Sequence, residues 1–334
     1  MSALAHARTF AAHPFISKSG LETSSRDPAR SRPKTAFVLS GGASLGAQQV
    51  GMLRALYESG IVPDFMIGTS VGALNATFVA SRPQTVETIG ELAAVWRGLR
   101  REQVFPVRWR ELVLGLVGRG DHVVSDRGVR EIVNRHLTIA RLEDAVVPVH
   151  LVAFDLVKGE EVRLSRGPAL EALLAATAIP GLLPPVVRGS RRLIDGGVVN
   201  NTPISHAVDL GAERVYVLPT SGASRAVGER PRGALEAATD AITLMIDSRR
   251  RADVARYAGT TELIVLPAPN PHHVRPTDFA HAQSLIEGGL IAARALLAEP
   301  PAIGGAQAGS RSVLTRVNPR SAWPDHQARI GGAA

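Results

Sequence analysis

The sequence predicts an α/β fold, a three-layer sandwich with a mostly parallel central sheet and helices on both faces. Three observations lead there. Short apolar runs of strand length alternate with longer stretches of helical periodicity. Two strand-to-helix joints are glycine turns, at 40–46 and 68–72. No internal repeat and no apolar window near 18 residues competes with this reading, so no spanning helix is expected.

In chain order, Thr35–Leu39 reads as a buried strand, and a helix carries Val50, Leu53 and Leu56 and stops at Gly60. Phe65–Ile67 is the next strand, and the helix after Ser70 runs to about Val79. Helical patterns follow over 85–99 and from Ser125 through Leu137. Val147–Val157 is a long strand, paired through a Lys158-Gly159 turn with Glu160–Leu164. A short helix covers Ala169–Ala176. Leu193-Ile194 leads to Asp195-Gly196-Gly197, and Pro203 opens a helix as its first residue and Gly211 closes it. Arg214–Leu218 and Leu263–Leu266 are strands, and two late helices near 233–258 and 279–298 cover the sheet.

The chain has 334 residues and is 45% hydrophobic, enough for one sizeable core. It has no cysteine, so disulfides, thiolate metal sites and a Cys nucleophile are excluded. The N-terminus shows no clean signal peptide, its small-residue run being broken by His6, Arg8 and His13. The formal charge of +8 sits at the ends: residues 1–34 carry +4 and residues 301–334 carry +3, leaving a nearly neutral body. That distribution argues against a folded nucleic-acid face. It suits solubility, or weak attraction to an anionic membrane surface. The expected organisation is a disordered basic segment at 1–33, one domain at 34–299 and a disordered tail at 300–334.

Ser70 stands in Gly68-Thr69-Ser70-Val71-Gly72, between a strand-like and a helix-like segment. A serine on such a turn has its hydroxyl exposed, with the amides of the next helical turn aimed at whatever it attacks. Gly68 and Gly72 fit a joint where strand and helix approach too closely for a Cβ. The same pattern also describes an ordinary serine in a glycine-rich turn. The turn at 40–46 opens a helix, where free N–H groups favour negative charge. A phosphate loop needs Gly-Lys-Ser/Thr where this chain has Gly46-Ala47-Gln48, and a dinucleotide fingerprint needs glycine where Ala43 stands. Asp195 at a strand end is either a base for Ser70, given partial desolvation, or a turn aspartate bonding its own backbone.

Five ordered blocks resemble the patatin-like phospholipases: Leu39-Ser40-Gly41-Gly42 with Gly46-Ala47 and Val50-Gly51; Gly68 to Ala76; Ala153-Phe154-Asp155-Leu156 with Gly159; Ala175 to Gly181 with Pro184-Pro185; and Asp195-Gly196-Gly197-Val198 with Asn201-Thr202-Pro203. The resemblance covers about residues 35–297. It implies a patatin-like fold and a Ser70–Asp195 dyad, with the N–H groups of Gly41, Gly42 and Ala43 as oxyanion hole and Gly46, Gly68, Gly72, Gly196 and Gly197 as motif glycines. The implied reaction is hydrolysis of fatty acyl esters of phospholipids or related lipids through an acyl-enzyme. The chain departs from the family pattern at Ala43, where a third glycine is usual and where a negative φ would make alanine tolerable. It departs again at Leu45, where Arg or Lys is usual.

The expected partner is a lipid or acyl ester substrate, with a cytoplasmic location, peripheral contact with membrane and no nucleic acid. No cofactor is expected, and no His/Asp/Glu spacing suggests a metal site. Two other readings stand beside this one. An α/β-hydrolase order Ser…Asp…His would use His206, His272, His273, His281 or His326. A catalytically silent lipid-binding or regulatory protein would keep the fold alone. The segment 104–117 mixes large apolar residues with arginines and reads either as a cap packed on the body or as a membrane-docking lid.

Overall fold

The computed structural model describes residues 32–106, 121–220, 233–269 and 274–298. Its strands are β1 (Thr35–Leu39), β2 (Phe65–Thr69), β3 (Val149–Asp155), β4 (Glu160–Leu164), β5 (Val186–Arg188), β6 (Arg191–Asp195), β7 (Arg214–Leu218) and β8 (Glu262–Val265). Its helices are α1 (Ala47–Glu58), α2 (Val71–Ala80), α3 (Val86–Gly98), α4 (Arg101–Val104), α5 (Arg127–His136), α6 (Ala169–Ala176), α7 (Gly197–Asn200), α8 (Ile204–Asp209), α9 (Ala234–Tyr257) and α10 (Ala282–Ala298). Among the described residues no helix is long and apolar enough to cross a membrane.

One sheet runs β5-β6-β3-β2-β1-β7-β8, with β4 also paired to β3. The five strands from β3 to β8 are parallel, while β4, β5 and β6 run antiparallel to their neighbours. β1 and β2 are buried along their whole length, as parallel strands covered on both faces must be. The period-2 alternation of side chains sorts them between two cores. Phe37 and Leu39 pack with α1, α2, α3 and α10 on one face. Ala36, Val38, Phe65 and Ile67 pack with Ile204 and Ala207 of α8 and Val254 of α9 on the other. The three-layer α/β sandwich read from the sequence is the architecture observed.

β3 places the two halves of the site. Its residues 149–152 pair with β2, ending at Thr69 opposite Val152. Its residues 151–155 pair on the other side with β4. β6 therefore meets β3 on the β2 side, beginning with Asp195 opposite Ala153. β2 and β6 thus abut along one edge of β3, so that Thr69 and Asp195 face consecutive residues. The chain turns into α2 where β2 stops and into α7 where β6 stops.

The structure differs from the sequence reading in three places. β3 is shorter than expected, because the Val147 amide donates to Ala80 O (3.1 Å) and the chain turns after Asp155, where the Gly159 amide donates back to its carbonyl (2.8 Å). β5, a short hairpin partner of β6 across Gly189 at φ +60°, has no periodic signal of its own. Pro203 caps α8 from outside, at ψ 58°, and is not its first helical residue. The expected basic ends, apart from residues 32–34, and all but residues 104–106 of the expected cap or lid segment lie outside the described residues.

Candidate active site

Ser70 is the N-cap of α2 and sits at φ 54°, ψ −126°. A non-glycine residue in this region stores strain of order 1–3 kcal/mol, and neighbouring bonds must hold it. Its amide donates to Ala176 O (3.1 Å), and its carbonyl accepts from Ala73 N (2.9 Å). A Cβ on Gly68 would strike the backbone of Gly72, and one on Gly72 would strike the carbonyl of Leu39. Both glycines are thus set by the close approach of α2 to the sheet.

Asp195, at the end of β6, is 4% exposed. Its amide donates to Ala178 O (3.0 Å), so residues 176–178, at the C-terminal end of α6, form a short strap that holds both Ser70 and Asp195 by the main chain. The Gly197 amide donates to the Asp195 carboxylate (2.8 Å), and the Ser70 hydroxyl hydrogen-bonds it as well. Burial pushes this carboxyl up to about 6, against the opposing pull of the Ser70 and Gly197 bonds. A carboxylate of raised basicity against a serine hydroxyl can take its proton near neutral pH.

The turn at 41–43 lies beside Ser70: a Cβ on Gly41 would meet Asn201 Oδ1 and Ser70 Cβ. The three amides are not equivalent. The Gly41 amide donates to Asn201 O (3.1 Å), so it is not free for an oxyanion, contrary to the sequence expectation. The Gly42 and Ala43 amides have no acceptor among the described residues. Ala43 sits at φ 49°, the left-handed region, so the negative φ expected for this alanine is not what the fold imposes. Leu45, where a cation is usual in the resembling family, is 9% exposed and packs in the main core.

A buried polar network braces these turns. Asn75 on α2 donates to Gly46 O (3.0 Å) and Gln49 Oε1 (2.9 Å) and accepts from Trp96 Nε1 (2.9 Å). Gln49 donates to Ser40 O (2.8 Å) and Leu218 O (3.0 Å). Thr69 Oγ1 donates to Asn200 O (3.0 Å), tying the residue before Ser70 to α7. A Cβ on Gly46 would collide with Val71, and one on Gly196 with Val152. Gly197 contributes through its amide. Asn75 and Asn201 stood inside the motif blocks without an assigned role, and Gln49 carried no sequence signal.

From Ser70 an apolar cavity of about 120 Å³ extends along α2 between α3, α5 and α6, with Leu74, Phe78, Trp96, Val133 and Leu173 among its walls. Val104 and Phe105 line it too, and Phe105 packs edge-on against Phe279, with ring centroids 6.2 Å apart. That end of the expected cap or lid is packed on the body. His136 also reaches the cavity wall, a residue that sequence reasoning did not single out.

The two described histidines among those considered as a base are paired with other carboxylates. His206 is bonded to Glu161 (2.6 Å), and His281 is paired with Asp278 at the surface (3.5 Å). His272, His273 and His326 lie outside the described residues. Among the described residues, the groups bonded to the Asp195 side chain are Ser70 and Gly197, with no imidazole.

A family model for patatin-like phospholipase matches residues 37–208. The chain is 27% identical over 189 residues to lysophospholipase NTE1 of Mycosarcoma maydis, a match that covers 54% of this chain and 9% of that protein. It is 27% identical over 290 residues to an NTE family protein of Mycobacterium bovis, covering 79% of this chain and 46% of the relative. Patatin-like phospholipase domain-containing protein 7 of Mus musculus is 27% identical over 192 residues, covering 55% of this chain and 13% of the mouse protein. The chain therefore spans less than half the length of these relatives. The interval matched by the family model takes in just over half of the chain and contains Ser70, Asp195 and the turn at 41–43; the chain belongs to the patatin-like phospholipase family.

Proposed function

We propose that this protein is a serine acyl hydrolase that cleaves fatty acyl esters of phospholipids or related lipids through a Ser70–Asp195 dyad. The observation that carries the reading is the position of Ser70: strained at a helix N-terminus, bonded to a buried carboxylate of raised basicity, and open to an apolar cavity. Ser70 Oγ attacks the ester carbonyl while Asp195 takes its proton. The oxygen that becomes negative is held by the amides of Gly42 and Ala43. Collapse of the tetrahedral intermediate expels the alcohol, which takes the proton back from Asp195. Water, deprotonated by Asp195, then attacks the acyl-Ser70 ester, and collapse releases the fatty acid and regenerates the serine. The acyl chain lies in the cavity along α2, where apolar walls recover its transfer free energy, roughly 0.8 kcal/mol per buried methylene.

The fungal relative is named a lysophospholipase, so a single-chain lysophospholipid is the first lipid to assay and a diacyl phospholipid the second. A fluorophosphonate probe should label the wild type and leave Ser70→Ala unlabelled, and fatty acid release should vanish in the same variant. A folded wild type that binds lipid without labelling or turnover would instead indicate a silent lipid-binding protein.

A further inference from the structure

The turn beside Ser70 is held from the side away from substrate by two residues to which no role attaches. Thr220 lies just beyond the end of β7 and is 2% exposed. Its hydroxyl donates to the carbonyl of Gly41 (2.5 Å). Asn201 Nδ2 donates to the same carbonyl (3.2 Å), and the Asn201 carbonyl accepts from the Gly41 amide (3.1 Å). Both polar groups of Gly41 are therefore fixed. Thr220 is itself anchored, its carbonyl accepting from Gln48 Nε2 on α1 (3.3 Å).

The consequence follows from peptide geometry. The carbonyl of Gly41 and the N–H of Gly42 belong to one planar trans amide and point in opposite directions. Pinning the carbonyl toward Thr220 and Asn201 aims the Gly42 N–H the other way. Two donors on the carbonyl also polarise the amide and strengthen its N–H as a donor. The Thr220 side chain fills the space a Cβ on Gly42 would need, so the peptide cannot rotate toward it. An amide left without this clamp could turn at either glycine, since glycine backbone is permissive.

We propose that Thr220, seconded by Asn201, is a positioning residue for the oxyanion site. Its hydroxyl fixes the Gly41–Gly42 peptide so that the Gly42 N–H meets the developing negative charge. The proposal rests on the hydrolase reading above, with Gly42 as an oxyanion donor. Thr220 acts through Gly42 and does not touch the reacting atoms.

The test compares Thr220→Val, Thr220→Ala and Thr220→Ser with wild type and Ser70→Ala on a soluble short-chain ester, reading kcat, KM, the pH midpoint and Tm. Valine keeps the shape and removes the donor, alanine removes the donor and leaves room, and serine keeps the donor. In whichever of the first two folds, kcat should fall about 10- to 100-fold, less than full loss of one donor, with KM within about threefold. The pH midpoint should stay at the wild-type value, because Asp195 is untouched. Thr220→Ser should recover most of the rate. Near-wild-type kcat in a folded Val or Ala variant overturns the proposal. So does a serine variant as slow as valine, or a loss expressed in KM or in a moved midpoint. Retained turnover in Ser70→Ala would overturn the hydrolase reading itself, a separate result.

Discussion

At the residue scale, the fold holds a buried carboxyl at Asp195 and two strained residues, Ser70 and Ala43. Asp195 is buried as an acid that folding makes harder to ionise. A carboxyl raised to about 6 binds its proton more tightly folded than unfolded, so its contribution to stability declines as pH rises from about 4 to about 6 and stays low above that. In the proposed mechanism activity has the opposite slope, because there only the carboxylate accepts the serine proton. On a neutral ester kcat/KM should rise with pH through a midpoint near 6. Asp195→Asn keeps an acceptor for Gly197 and a donor toward Ser70 while removing the charge. It should lower kcat by about 10²- to 10⁴-fold, yet raise Tm at pH 8 and not at pH 4. Thermal unfolding at both pH values, beside turnover, checks the pair; a lower Tm at pH 8 would contradict the desolvation argument. Ala43 is the second strained residue, at φ 49°. Its Cβ costs about 1–2 kcal/mol there, against the 0.5–1 kcal/mol of chain entropy a glycine brings. Ala43→Gly should therefore stabilise the protein by roughly 0.5–1 kcal/mol in urea unfolding.

At the element scale, α2 starts directly after Ser70 and supplies one wall of the cavity. Leu74 lies one helical turn beyond Ser70, about 6 Å along the axis, and lines the cavity. The cavity has a volume of about 120 Å³. In the proposed reading the acyl chain lies there, and a longer chain presses harder on the walls than a short one. Leu74→Ala should raise the ratio of kcat/KM for a decanoyl over a butyryl ester several-fold; an unchanged ratio would place the acyl chain elsewhere. α1 and α10 meet backbone to backbone: a Cβ on Gly51 would strike the carbonyl of Ile286, and one on Gly289 that of Gln48. Gly289→Ala should cost about 1–3 kcal/mol as overpacking, read as a shifted denaturant midpoint. It should leave kcat of the folded enzyme near wild type, since α10 holds none of the reacting groups.

At the scale of the whole molecule, charge and fold are segregated. The basic excess belongs to residues 1–34 and 301–334, while the span between carries about +1. No residue placed in the reaction lies in either end. A chain reduced to residues 32–298 should fold and hydrolyse a short-chain ester at close to the full-length rate. It should bind anionic vesicles less than the full chain at 20 mM salt, with the difference lost at 500 mM, where charges are screened within a few ångström. Equal binding at low salt would remove the ends from any membrane role.

The order of strands and helices, the strand-to-helix turn at Ser70 and its glycines were legible because each is a local matter. Strand periodicity, a serine with a glycine two positions away on either side and the close contact of Gly68 with Gly72 all arise within a few residues of chain. The residues alone left Asp195 as either a base for Ser70 or a turn aspartate, and the resemblance favoured the pairing, since the two lie 125 positions apart and nothing in their spacing joins them. The tertiary structure joins them through β3, which pairs β2 as far as Val152 and β6 from Ala153. It also decided which amides remain free. Whether Gly41 donates to Asn201 or to a ligand, whether Ala43 takes a positive φ, and whether Thr220 reaches the Gly41 carbonyl depend on backbone directions set by distant segments packing together. A one-dimensional pattern names residue types and intervals. The direction of an N–H bond is settled only when every neighbouring carbonyl has found its donor.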